Sequence, residues 1–265
     1  LKSIYRYFPT QPSATNLKEG FELGPPHNTQ ASASGPSTLN RSSKFNLSEP
    51  NGFPSSTPGF KNRCEALHSE LQSLSAKLLS LVAIALGKPA SFFDHYLTDS
   101  LSTLRLLHYP PSLKEGEIEG KVVCEPHTDS GILTLLHQDE TGGLEVRNGK
   151  GEWVPAPYVK GSVVVNIGDL MERVSGGRWV ATTHRVRESG RGERKGRSGE
   201  KKGRYSVPFF FEPGEKCLVR GVEGGEAIVY GEHVLAKMSG WLEFQDLEEA
   251  EGGMKVGEGN MVAVY

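Results

Sequence analysis

From Leu101 onward the chain is written in short β-rich runs, and this rhythm constrains the fold more than any other feature. "STLRLLHYP", "GILTLLHQD", "GLEVRNG", "WVPAPY", "SVVVNIGD", "ATTHRVRE", "RYSVPFFFEP" and "KCLVRG" follow one another, separated by Gly, Pro, Asp and Asn. Strands this short and this frequent predict a sandwich or barrel, because a parallel sheet needs a crossover of about a dozen residues between strands.

Ahead of this region the period is longer. Phe60, Cys64, Leu67, Leu71, Leu74, Leu78, Val82 and Leu86 recur at three- and four-residue spacing. That predicts one apolar stripe on a long helix, stopped by Gly87 and Pro89. Ser91 to Asp99 reads as a second short helix carrying Phe92 and Phe93, and His233 to Phe244 as a helix near the end. Lys18 to Gly24 reads as an edge strand or extended arm. Residues 1 to about 58 are polar and rich in Ser, Pro, Asn and Gly, and the segment "NTQASASGPSTLNRSSKFNLSEPNG" within them reads as a flexible loop. The expected organisation is an N-terminal region at 1–97 with a Ser-rich loop and long helix, a β domain with a C-terminal helix at 98–247, and an acidic Gly-rich tail at 248–265.

Hydrophobic residues make up 36% of the 265, low enough to predict long polar loops. The net charge of -2 points away from nucleic acid and acidic membrane surfaces as partners. Cys64, Cys124 and Cys217 are odd in number and form no CxxC pair. A disulfide framework or a thiolate zinc site is therefore not expected, and a reducing, cytoplasmic compartment is. The longest apolar run, Leu78 to Leu86, is far shorter than the ~20 residues a bilayer needs. Leu1 to Thr10 show no charged head with an apolar stretch behind it, so no signal peptide is expected. The chain begins without Met, as a fragment or a processed product would.

Two H-x-D pairs carry the chemistry of interest, His127-Thr128-Asp129 and His137-Gln138-Asp139. Residues two apart on an extended segment project to the same side, so either pair can clamp one metal ion. Two imidazoles and one carboxylate on one face of an octahedron make an open iron(II) site, with three positions left for other ligands. Spacing does not separate the pairs. Context favours the first, which follows Pro126 and precedes the apolar run Ile132 to Leu136, while the second runs into the turn sequence "DETGG". The third ligand must come from a later strand, and His184 in "WVATTHRVRE" is the candidate, ahead of His233 in the expected helix. Arg204-Tyr205-Ser206 then places a guanidinium and a hydroxyl on one side of a strand. That pair suits the far carboxylate of a dicarboxylate whose other end chelates the metal. Phe209, Phe210 and Phe211 follow, and those facing inward either line a substrate pocket, for which Phe209 and Phe211 are the candidates, or pack the core.

The ordered combination of H-T-D, "GDLMERVSGGRWVATTHRV" and "RYSVPFFFEP" resembles the iron(II)/2-oxoglutarate-dependent dioxygenases of the isopenicillin N synthase-like superfamily. "LRLLHYPP" resembles the strand before the metal pair, with Tyr109 where a Tyr often touches the co-substrate. "KEGFELG" and "ALGKPASFF" resemble the N-terminal region. The resemblance selects His127 and Asp129 over the second pair. It implies a mainly β fold, a double-stranded β-helix or jelly roll with flanking helices. It implies iron(II) on His127, Asp129 and His184, and 2-oxoglutarate as co-substrate on Arg204, Ser206 and Tyr109, with ascorbate as a reductant. It implies hydroxylation or desaturation of a small organic molecule by dioxygen, with release of succinate and CO2. The family's usual N-terminal strand is absent before "KEGFELG". The Ser-rich loop around residues 30 to 48 and the basic stretch between His184 and Arg204 read as inserted surface loops. Three other readings share the motifs. One is an isopenicillin N synthase-like iron oxidase that takes no 2-oxoglutarate. Another is an inactive member serving as a binding module. The last is a cupin-like binder, which would not require Arg204 and Ser206.

Overall fold

Strand alternation turns the short β-runs into two antiparallel sheets with a cavity between them. The structure is a computed structural model that describes residues 5–10, 16–26, 47, 49–111, 121–188 and 203–238. The chain starts with β1 (Tyr7–Phe8), β2 (Glu19–Leu23) and the long helix α1 (Phe60–Ala85). Then come β3 (Thr103–Tyr109), β4 (Val122–His127), β5 (Leu133–Gln138), β6 (Leu144–Arg147), β7 (Trp153–Pro155) and β8 (Val164–Ile167). After the short helix α2 (Asp169–Val174) follow β9 (His184–Arg187), β10 (Arg204–Phe211), β11 (Leu218–Gly221), β12 (Gly224–Val229) and helix α3 (Tyr230–Met238). The larger sheet has the order β1-β2-β3-β10-β5-β8, the smaller β4-β9-β6-β7, and β11 pairs with β12. This is the jelly-roll core expected from the sequence.

The long strand β10 shows how the layers are made. It lies between β3 and β5, and its residues alternate between two environments. Arg204, Ser206, Pro208 and Phe210 face the cavity toward the smaller sheet. Phe209 and Phe211 face the other way, fully buried in the main core with Leu104, Leu133, Leu135, Leu79 and Ala83. The ring of Phe209 meets the His68 imidazole of α1 edge-on at 5.1 Å. Pro208 offers no N–H, and the ladder to β3 skips Val207 and Pro208, so a proline fits in this interior strand. Phe209→Ala is expected to destabilise the protein by about 3–5 kcal/mol through the lost burial and the cavity left behind. Urea denaturation of the two proteins measures it.

Several local expectations need correction. The apolar stripe of α1 lies in or against the core as expected except for exposed Leu74, and the most deeply buried side, Cys64, His68, Ser75, Leu79 and Ala83, takes in residues beside it. His68 belongs to it because its Nε2 pairs with the Ser102 carbonyl at 2.8 Å, and Ser75 and Ala83 because they are small. The segment 18–24 is no edge: β2 is flanked by β1 and β3. Between residues 91 and 99 the regular element is a single 3₁₀ turn, Asp94–Leu97. Strands β1, β4 and β12 and helix α2 were not foreseen, so a short strand does precede "KEGFELG", and α3 begins three residues before His233. The Ser-rich loop (Leu47 excepted), most of the basic stretch, the end of the last expected helix and the acidic tail lie outside the described residues. Among the described residues, no helix is long and apolar enough to cross a membrane.

Candidate metal centre

His127 ends β4 and His184 opens β9, and the two residues face each other across the antiparallel pair. The register of β4 shifts twice on the way, so bulges bring His127 opposite His184. Pro126 is tolerated beside it because β4 is the edge of its sheet. Asp129 sits just past the strand, on a loop held by the start of α2. The Asp169 N–H donates to the Asp129 carbonyl at 2.7 Å, and the Leu170 N–H to that of Gly131 at 3.1 Å. Gly168 makes this approach possible, since a Cβ there would stand 2.2 Å from the Gly131 oxygen. The ligand loop and α2 therefore fit together only around a glycine.

The three side chains converge, each offering one ligand atom within 4.8 Å of the others. His184 Nε2 lies 3.7 Å from Asp129 Oδ1, and the two imidazole centroids are 4.3 Å apart. The outer atoms are already engaged. His127 Nδ1 pairs with the Glu125 carbonyl at 2.7 Å and His184 Nδ1 with that of Thr182 at 3.1 Å. Each ring thus carries its proton on Nδ1 and turns Nε2 inward. Asp129 Oδ2 accepts from Thr134 Oγ1 at 2.6 Å and Asn166 Nδ2 at 2.7 Å, which leaves Oδ1 for the centre. Thr134 and Asn166 are partners across the β5–β8 ladder, so sheet register sets both donors at once. The donor set and its orientation fit a divalent metal with open positions. Asn166→Ala is expected to weaken metal affinity roughly 10- to 100-fold while the fold persists, as loss of a ligand-orienting hydrogen bond does elsewhere. Titration with iron(II) under anaerobic conditions measures the shift.

The electrostatics also call for a cation. Burial works against the charge of Asp129, but His184, His127 and the two hydrogen bonds outweigh it and hold the carboxyl below the ordinary range. Burial would lower His127 too, yet the Cys124 sulfur, Asp129 and the Glu125 carbonyl push it up to about 9. Burial keeps His184 below its ordinary value. A proton on His127 thus takes the place of a positive charge, and a metal ion binding there displaces it.

The metal-ligating group stands where two chambers meet. The first, about 370 Å³, lies between the sheets and is in the size range of small-molecule sites. Its walls include His127, Asp129, His184, Tyr109, Arg204 and Ser206. Arg204 is buried; its Nε donates to the Gly142 carbonyl at 2.9 Å and its Nη2 to Gln138 Oε1 at 3.3 Å. Its Nη1 has no hydrogen-bond partner among the described residues. The guanidinium lies 5.0 Å from the ring centre of Tyr109. A buried, oriented guanidinium with one N–H end open fits a carboxylate ligand. The second chamber shares His127, Asp129, Arg105, Lys18 and Phe210 with the first, and adds Glu212, Tyr230, Tyr5 and Glu22.

Of the residues singled out from sequence, His127, Asp129, His184, Arg204, Ser206 and Tyr109 line the chambers together. His137 is exposed, and Asp139 instead receives the Tyr205 N–H at 2.8 Å. Phe209 and Phe211 are corrected: both lie in the core, and Phe210 reaches the cavity. Strand parity carried that signal, because Phe210 shares the face of Arg204 and Ser206. Thr134, Asn166 and Gln138 were missed, and no local motif marks them.

Residues 100–213 match the family model described as the 2OG-Fe(II) oxygenase superfamily. The chain is 34% identical over 227 residues to the 2-oxoglutarate-Fe(II) type oxidoreductase hxnY of Emericella nidulans, covering 82% of this chain and 60% of the relative. It is 34% identical over 203 residues to a homoarginine-6-hydroxylase of Glycine max, covering 71% of this chain and 58% of the relative. It thus spans about three fifths of each relative's own length. A full-length Neurospora crassa protein, crystallised in complex with alpha-KG, superposes with a TM-score of 0.71 at 28% identity, covering 87% of this chain and 70% of that one. With its inward-facing His-Asp-His group in a jelly roll, the chain carries at residues 100–213 a match to the 2OG-Fe(II) oxygenase superfamily.

Proposed function

We propose that this protein oxidises a small organic molecule with dioxygen and 2-oxoglutarate, using iron(II) held by His127 Nε2, Asp129 Oδ1 and His184 Nε2. The observation that carries the reading is the pairing of that ligand set with a buried Arg204 whose Nη1 has no hydrogen-bond partner among the described residues, both lining one chamber. Bound iron(II) supplies dioxygen activation coupled to decarboxylation of 2-oxoglutarate, giving succinate and CO2 while a substrate C–H bond is oxidised.

The chain's own groups orient the reactants. Arg204 and Ser206 anchor the far carboxylate of 2-oxoglutarate, with Tyr109 packed beside the guanidinium. Gln138 and the Gly142 carbonyl fix the Arg204 fork, so the anchor is ordered before the ligand arrives. Leu107, Leu136, Leu144, Val164 and Val186 line the same chamber and exclude water from it. Thr134 and Asn166 hold Asp129 so that its free oxygen faces the metal. The names of relatives, among them homoarginine-6-hydroxylase, support a small molecule as the substrate. That Cys64, Cys124 and Cys217 form no disulfide supports a reducing, cytoplasmic setting. The domain that does this work is residues 98–247.

The experiment is substrate-independent turnover: purified protein with iron(II), ascorbate and 2-oxoglutarate releases succinate above a protein-free control. Tight iron binding with no succinate would favour an oxidase that takes no 2-oxoglutarate. No iron binding at all would favour a binding module.

A further inference from the structure

The second chamber says what the substrate must offer, given the oxygenase reading on which this inference rests. His127 and Asp129 form one wall. Glu212, the residue after β10, lines the same chamber. Its carbonyl accepts from Ser100 Oγ at 2.6 Å, and its N–H donates to Ser102 Oγ at 3.1 Å, so the backbone is fixed. Its side chain packs against the ligand loop, since a Cβ on Gly131 would stand 3.4 Å from Glu212 Cγ. The carboxyl is buried, and the hydrogen bond it accepts from Thr103 Oγ1 is long, at 3.5 Å. Burial pushes its pKa up to about 7, against the opposing pull of Tyr230, Arg105 and Thr103.

The other charges at this end are engaged. Glu22 takes both arms of Arg105, with Nε at 3.0 Å from Oε2 and Nη2 at 3.1 Å from Oε1. Lys18 Nζ turns toward the Cys124 sulfur at 3.9 Å. Tyr230 is 1% exposed and lines the chamber beside Glu212; burial first, and then the Glu212 charge, hold the phenol proton on. Its hydroxyl pairs with the Glu212 carboxyl, so the two groups act together at this end of the chamber. The surroundings are acidic: Glu212, Glu22, Glu49 and Glu215 all act on Tyr5, with Arg105 ion-paired among them. Leu101, Phe210, Val234 and Met238 supply apolar wall to the same chamber.

We infer that this chamber takes a small organic cation, an alkylamine or alkylguanidinium, with its charged nitrogen on Glu212 and Tyr230 and its aliphatic carbons toward His127 and Asp129. A protonated nitrogen donates to the carboxylate and to the phenol oxygen, and it offsets the acidic surroundings. A neutral amide would satisfy the hydrogen bonds without the charge, and a carboxylate would be repelled.

The test is anaerobic calorimetric titration of the protein loaded with iron(II) and 2-oxoglutarate. The probes are butylamine and butylguanidine, set against butyramide and butyrate. Saturable binding of a cation at least tenfold tighter than of its neutral and anionic counterparts is expected. Glu212→Gln should weaken cation binding at least tenfold while 2-oxoglutarate still binds, and Glu212→Asp should keep the preference for cations. Equal binding of amide and amine, no saturable binding of either cation, or undiminished cation binding by Glu212→Gln would overturn the inference. If Glu212→Gln does not fold, the charge preference of the wild type decides alone. The titration needs no turnover, so absence of succinate would strike the oxygenase reading and leave the cation result standing separately.

Discussion

Asp129→Ala is expected to release succinate no faster than a protein-free control with iron(II), ascorbate and 2-oxoglutarate. The carboxylate is the anionic member of a three-ligand set, and it is what the imidazoles of His127 and His184 face. Its removal takes away one metal bond and the charge that balances a cation, and it leaves Thr134 and Asn166 pointing at nothing. Iron(II) affinity should collapse with the activity. Asp129→Asn, close in shape, should retain the fold and still lose turnover, which separates loss of the metal from loss of the structure. Succinate release by either variant at the wild-type rate would refute the assignment.

Arg204→Ala is expected to act on the other reactant. The guanidinium is buried, lines the chamber and is held by Gly142 and Gln138, while its Nη1 has no hydrogen-bond partner among the described residues. Truncating one partner of a buried, hydrogen-bonded charge pair costs about 2–5 kcal/mol, equivalent to a rise in the 2-oxoglutarate requirement of roughly 30-fold to several thousand-fold. Iron(II) affinity should change little, because no atom of Arg204 belongs to the ligand set. Arg204→Lys keeps the charge but loses the planar fork, and it should fall between the two. Succinate formation as a function of 2-oxoglutarate concentration, with iron saturating, measures all three proteins. An unchanged requirement would place the anchor elsewhere.

The parts of this site that were legible in sequence are those that depend on spacing within one strand or on the order of motifs. Arg204 and Ser206 are two apart and come to one side of β10 as strand alternation requires; His127 and Asp129 are also two apart, but Asp129 lies past the end of β4 and reaches the centre through the loop held by α2. The same alternation argued against Phe209 and Phe211 as pocket residues and for Phe210. The expectation overlooked it because three consecutive phenylalanines look equivalent until a neighbour fixes the face. The residues that hold Asp129 were not legible. Thr134 and Asn166 meet through the register of β5 on β8, which no local pattern records. The apolar stripe of α1 was legible, since all of it but Leu74 lies in or against the core, while His68, Ser75 and Ala83 beside it were not, being buried by what they touch and not by their hydrophobicity. Helix α2 is six residues long, too short to show a period, and its place follows from the contact of Gly168 with the ligand loop. Glu212 stands within "RYSVPFFFEP", but nothing in that run gave it a role; the chamber around it does.

The most direct measurement is a crystal structure grown anaerobically with iron(II) and 2-oxoglutarate, with anomalous scattering recorded at the iron edge. A single anomalous peak within bonding distance of His127 Nε2, Asp129 Oδ1 and His184 Nε2 is expected, with the far carboxylate of 2-oxoglutarate on Arg204. A peak elsewhere, or a 2-oxoglutarate carboxylate that leaves Arg204 untouched, would contradict it.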